Sequence, residues 1–129
     1  MNLDFDDEDV YGLLLEACYS YKVEPSMSLE SEAFFRDLLT QYTGSLDAEN
    51  LLIWLKERIE QSFVALNKRP EWIQSSEWPF IDGQPAIFAG QIDISLQDNK
   101  IASQLIHDDT SFYLFIAPKK QPIVITQQY

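Results

Sequence analysis

The sequence predicts an α+β domain, with a helical N-terminal half of about three helices packed on a small antiparallel sheet of three or more strands. Two periodicities carry this expectation. Through residue 66 the apolar side chains recur at three- and four-residue steps, the spacing of one helix face; beyond Pro70 they alternate, the spacing of a strand. Length supplies the third observation. At 129 residues the chain makes one domain, 1–129, and with 46% hydrophobic residues it can bury a core without disulfides or metal.

The first helix is expected over 8–21, where Val10, Leu13, Leu14, Ala17, Cys18 and Tyr21 form one stripe closed by Pro25. Cys18, the sole cysteine, falls on that stripe and reads as a small core residue rather than a nucleophile. A second helix is expected over about 29–43, with Ser28 as N-cap, Phe34, Phe35, Leu38, Leu39 and Tyr42 inward, and Gly44 as its stop. The third begins after the N-cap Asp47, with Leu46 stapled onto Leu51. Its stripe runs through Leu55, Ile59, Phe63 and Leu66 to the terminus at Asn67-Lys68-Arg69-Pro70.

Residues 71–85 read as a turn-rich loop with two large aromatics, and strands are expected at 86–94, 112–117 and 122–127. In the first strand Ala86, Phe88, Gly90, Ile92 and Ile94 share one face, and Ile87, Ala89, Gln91 and Asp93 share the other. The Pro118-Lys119-Lys120-Gln121 connector closes a hairpin between the last two strands, and Pro122, with lysines beside it, suits an exposed edge. A short helical turn is expected around 99–106.

The net charge of −12, from 21 acidic and 9 basic residues, argues against direct nucleic-acid binding and against anionic membranes, and favours a basic protein partner. The sharpest cluster is Asp4, Asp6, Asp7, Glu8 and Asp9; part of it complements the dipole of the first helix, and the remainder reads as a frayed terminus or an electrostatic bait. This acidic start differs from the basic start of a signal peptide, and the apolar runs fall far short of the ~20 residues that span a bilayer, so a cytoplasmic location is expected.

Catalytic chemistry has little material. His107, the sole histidine, precedes Asp108 and Asp109, the ingredients of a general base, but sequence neighbours rarely face one another, and the group reads as polar loop. One histidine and one cysteine cannot make the usual zinc sets, the acidic N-terminus lacks the alternation and central glycine of a calcium loop, and no phosphate-cradling glycine pattern occurs. No catalytic residue, metal or cofactor is expected. Trp72 and Trp78 stand out instead, flanked by Glu71, Gln74, Glu77 and Asp82. Such tryptophans are either lids over the sheet's core or exposed anchors for a partner, and one can do each job. Gln91 is either buried with amide partners or presented at a site.

Glu77-Trp78-Pro79-Phe80-Ile81-Asp82-Gly83-Gln84-Pro85-Ala86-Ile87-Phe88-Ala89-Gly90-Gln91-Ile92-Asp93-Ile94 resembles the motif of the YwqG-like family of uncharacterised bacterial proteins. Trp78, Pro79, Gly83, Pro85, Phe88, Gln91 and Ile92 match it position by position, and Pro70-Glu71-Trp72-Ile73-Gln74 is similar to an element of related sequences. The resemblance covers about residues 70–94. It implies a role like that of small domains in bacterial immunity and toxin–antitoxin neighbourhoods, which bind and block a cognate toxin.

The resulting expectation is a non-enzymatic immunity protein that contacts a basic toxin domain through Trp72, Trp78, Glu77, Asp82 and Asp93. The alternatives are a dimeric adaptor or chaperone for a secreted effector, and a small hydrolase using His107.

Overall fold

The computed structural model describes residues 3–94, 109–117, 119 and 121–128. Three helices, α1 (Glu8–Tyr19), α2 (Leu29–Thr40) and α3 (Ala48–Ser62), precede a two-stranded hairpin, β1 (Phe80–Ile81) and β2 (Gln84–Pro85). A three-stranded antiparallel sheet follows, β3 (Ile87–Ile94), β4 (Thr110–Ile116) and β5 (Pro122–Gln128), ordered β3-β4-β5. The α+β architecture expected from the two periodicities is the observed one.

Each helix begins at a side chain that accepts otherwise unpaired backbone N–H groups. Asp7 accepts from Asp9 and Val10, Ser28 and Ser31 cap one another reciprocally, and Asp47 accepts from Asn50. The acidic N-terminus is therefore structural in part. Arg36 on α2 pairs with Asp6 at 2.9 Å and Glu32 at 2.8 Å, and its guanidinium lies 4.5 Å above the Phe5 ring. These contacts fasten the first residues to α2.

Three expectations at helix ends are corrected. Leu46 is 56% exposed, so no staple onto buried Leu51 forms; Asp47, with Ser45 and Asn50, holds that end instead. The second helix stops at Thr40 because the Gln41 N–H turns back to the Leu38 carbonyl, ahead of Gly44. The third ends at Ser62, not 66. Val64 and Leu66 leave the helix to exchange backbone hydrogen bonds with Phe88 on β3, an isolated parallel bridge centred on Ala65. Pairing with the sheet edge supplies those backbone groups with partners a last helical turn would otherwise provide.

The β1–β2 hairpin lies inside the segment read as loop. Its turn residues Asp82 and Gly83 have φ of 51° and 76°, the left-handed pair that a two-residue hairpin turn requires. The Asp-Gly dipeptide was the available signal.

The main sheet contains one irregularity. Phe88 faces Phe115, but Gly90 faces Leu114, so Ala89 is an extra, bulged residue. A bulge reverses the faces beyond it. Gln91, Asp93 and Phe88 thus lie on the same side as Tyr113, Phe115 and Ser111, while Gly90, Ile92 and Ile94 turn to the other side with Phe112 and Leu114. The uniform alternation expected across 86–94 fails at this point.

The core is an aromatic cluster between the helices and the inner sheet face. Phe63, at the end of α3, stacks on Phe35 at 5.6 Å and meets Phe34, Trp78 and Phe80 edge-on. Trp78 continues to Phe115 at 5.3 Å, and Phe115 to Phe88 at 5.2 Å. Because Phe63 is fully buried and links both halves, Phe63→Ala is expected to destabilise the fold by about 3–5 kcal/mol, read from urea unfolding.

Candidate interaction surface

Between α3 and β1 the chain crosses the inner face of the sheet, and sheet side chains take the place of a neighbouring strand for it. The Gln127 amide, 2% exposed, uses every hydrogen-bonding position: its Oε1 accepts from the N–H groups of Ile73 (2.9 Å) and Gln74 (3.0 Å), and its Nε2 donates to Ser75 O (2.8 Å) and Glu77 Oε2 (2.9 Å). The Tyr113 hydroxyl donates to Glu71 O (2.9 Å) and accepts from Ile73 N (3.1 Å). Gln91 accepts from Glu71 N (2.8 Å) and donates to Glu71 O (3.2 Å) and to Asp93 Oδ1 (2.8 Å). Gln91 is therefore held by backbone amide partners.

This clamp sets both tryptophans. Trp72 lies against Tyr113 at 4.5 Å and Phe115 at 6.1 Å, and its indole N–H reaches Lys22 O (2.8 Å), where Lys22 turns the chain after α1 with φ of 63°. Trp78 is 2% exposed and donates to Ala86 O at 2.7 Å. Trp78 is thus a core residue with no surface to offer a partner, and Trp72 is a half-buried lid. Arg69 packs beside them, 4.8 Å from the Tyr21 ring and 5.9 Å from that of Trp78; burial lowers its pKa from the ordinary arginine range.

The three acids of the expected contact set stay at the surface. Glu77 accepts from Gln127, Asp82 occupies the hairpin turn, and Asp93 accepts from Gln91 and Ser111. Tyr113 lies against Trp72 and feels the charges of both Asp93 and Glu77, so these three come round one side chain, while Asp82 sits in the hairpin turn and Trp78 is buried. His107, Asp108 and the turn expected around 99–106 lie outside the described residues; Asp109 is half-buried just before β4. Cys18 is fully buried, and burial pushes its thiol far above the usual range, which removes the thiolate a nucleophile needs. No group of three or more metal-ligating side chains occurs among the described residues, nor any helix long and apolar enough to cross a membrane.

The surface not anticipated from sequence is the outer face of the sheet. Ile92, Leu114 and Val124 are 67%, 41% and 58% exposed there, around a hollow of ≈ 300 Å³ lined also by Gly90 and Phe112. A Cβ at Gly90 would meet nothing within 4 Å, so the hollow lies over a residue without a side chain. The bulge at Ala89 is what turns Ile92 onto this face.

Two outcomes follow from the clamp. Gln127→Leu removes the acceptor of the Gln74 N–H and leaves Ile73 N–H to Tyr113 alone, and should cost about 2–3 kcal/mol in urea unfolding, whereas Gln128→Leu, on an exposed neighbour, should change stability by under ~0.5 kcal/mol. Burial raises the Tyr113 pKa above its ordinary 10.0, and Tyr21 is raised likewise. A raised folded pKa contributes stability that is complete below pH 10.0 and lost as pH rises through the folded value. Melting temperature measured against pH should fall on that alkaline limb, and Tyr113→Phe should make the fall shallower, leaving the part due to Tyr21.

No family model, curated protein or solved structure matches this chain.

Proposed function

We propose that the chain is a non-enzymatic, cytoplasmic protein-binding domain, an immunity protein that binds and blocks a cognate bacterial toxin with a basic surface. The observation that carries this reading is the open apolar sheet face around Ile92, Leu114 and Val124 in a chain of net charge −12. Apolar side chains clustered on an exposed face lose water most favourably against another protein. The resemblance of residues 70–94 to the YwqG-like motif supports the choice of a toxin as that protein.

The division of labour follows from the physics of association. Exposed acids, among them Glu77, Asp82 and Asp93, supply the negative field that accelerates encounter with a basic partner. Ile92, Leu114 and Val124 supply the desolvated contact that slows dissociation. Trp72 contributes as a rigid lid at the edge of the clamped loop, and Trp78 contributes only through the core.

The test is titration calorimetry against the toxin domain encoded beside the gene, with toxin activity assayed in parallel. Tight binding with inhibition is expected. Ile92→Lys should weaken it by about tenfold or more, and added salt should slow association with less effect on dissociation. Absence of a neighbouring toxin together with a co-purified partner of another kind, or binding indifferent to Ile92→Lys, would overturn the proposal.

A further inference from the structure

Strand β5 closes one edge of the three-stranded sheet, and no described strand pairs with its outer side. Its hydrogen-bonding sense follows from the hairpin. Ala117 N donates to Gln121 O at 2.8 Å, so in an antiparallel ladder the pairs Phe115–Ile123, Tyr113–Ile125 and Ser111–Gln127 also exchange backbone bonds. Pro122, Val124, Thr126 and Gln128 then turn their backbone groups away from β4. Two observations agree with that parity. Pro122, which has no N–H to give, occupies an outward position, and Gln128 O accepts from the Gln74 side chain at 2.8 Å. Val124 and Thr126 are left facing outward between them.

The chemistry of this edge differs from that of the rest of the molecule. The strand reads Pro-Ile-Val-Ile-Thr-Gln-Gln, without a charge, in a chain carrying 21 acids and 9 bases. Exposed edges are usually guarded by lysines, bulges or prolines along their length; here Pro122, with exposed Lys119 before it, guards only the start. Two molecules of net charge −12 repel wherever their acidic surfaces meet, whereas this strand itself brings no charged side chain to a joint, with Glu77 bonded to it at Gln127. An edge of this kind is also self-complementary, because two antiparallel copies offer one another the same donors and acceptors.

We propose that two copies of the chain pair antiparallel through β5, joining two three-stranded sheets into one sheet of six. With the two-fold axis at Ile125, Val124 of one copy lies opposite Thr126 of the other, and the outward N–H and C=O groups of both residues are satisfied. The Val124 side chain, 58% exposed, gains a neighbour across the joint, and the apolar outer face continues into the second copy. This pairing does not depend on what the outer face binds.

Sedimentation and light scattering of the full chain test the proposal. The expected mass is twice the 15.0 kDa of one chain, with the dimer fraction rising with concentration and with added salt, which screens the mutual repulsion. Thr126→Pro removes an outward N–H at a position of the same parity as Pro122, and Val124→Glu adds like charge at the joint. Both variants should be monomeric while keeping the circular dichroism and cooperative melting of a folded chain. A wild-type chain that stays at 15.0 kDa, or a dimer that either folded variant retains, overturns it. In the first case, a free monomer whose Val124 and Thr126 amides become protected only when another protein's strand is added would assign the edge to that strand.

Discussion

A buried primary amide with all its hydrogen-bonding positions in use is the constraint on which the rest of this molecule depends. Three strands are few for a free-standing sheet, and one face must be covered. The cover here includes a stretch of irregular chain, which brings backbone N–H and C=O groups into the interior and obliges the sheet to satisfy them. Gln127, Tyr113 and Gln91 do so, one from each strand. With the backbone accounted for, the two indoles can fill the space between the layers. Trp72 reaches the carbonyl that follows α1 and rests on β4, while Trp78 joins Phe63 to Phe115.

The bulge at Ala89 is what makes this clamp and the open face parts of one arrangement. With unbroken alternation, Gln91 would point away from the loop it holds, and Ile92 would share the inner face with Phe88. One extra residue exchanges them. The inner face acquires an amide and a carboxylate that secure Glu71 and Ser111, and the outer face acquires an exposed isoleucine beside Leu114 and Val124. Stability on one side and apolar exposure on the other thus share a single local cause.

Charge is used in two ways. Asp6, Asp7 and Asp47 are committed to local structure: Arg36 and the backbone N–H groups at the helix starts are their partners, and the pKa values of Asp6 and Asp47 lie below the usual carboxylate range for that reason. The net charge of −12 follows from 21 acids against 9 bases, of which Arg36 and Arg69 pack over aromatic rings. A long-range negative field around a body with one uncharged edge and one apolar face is the result.

Elements whose signal is local were legible in the sequence. Helix starts at Ser28 and Asp47, the buried stripes through Leu14, Phe35 and Leu55, and the three main strands follow from caps and periodicity, which neighbouring residues determine among themselves. The Asp82-Gly83 hairpin was equally readable, since only its two left-handed residues define it. Other features depend on residues far apart in the chain. Release of Val64 from α3 requires Phe88, the inward turn of Gln91 requires the extra residue at Ala89 to be absorbed against β4, and the burial of Trp78 requires Phe63 and Phe115 together. The two tryptophans divide for the same reason: whether a tryptophan is a lid or an anchor depends on what lies beneath it. Sequence by itself determined the elements and the acidic field, because propensity, capping and charge are properties of short segments. Tertiary structure alone decided which face is open and which indole is covered, because burial belongs to the assembled layers.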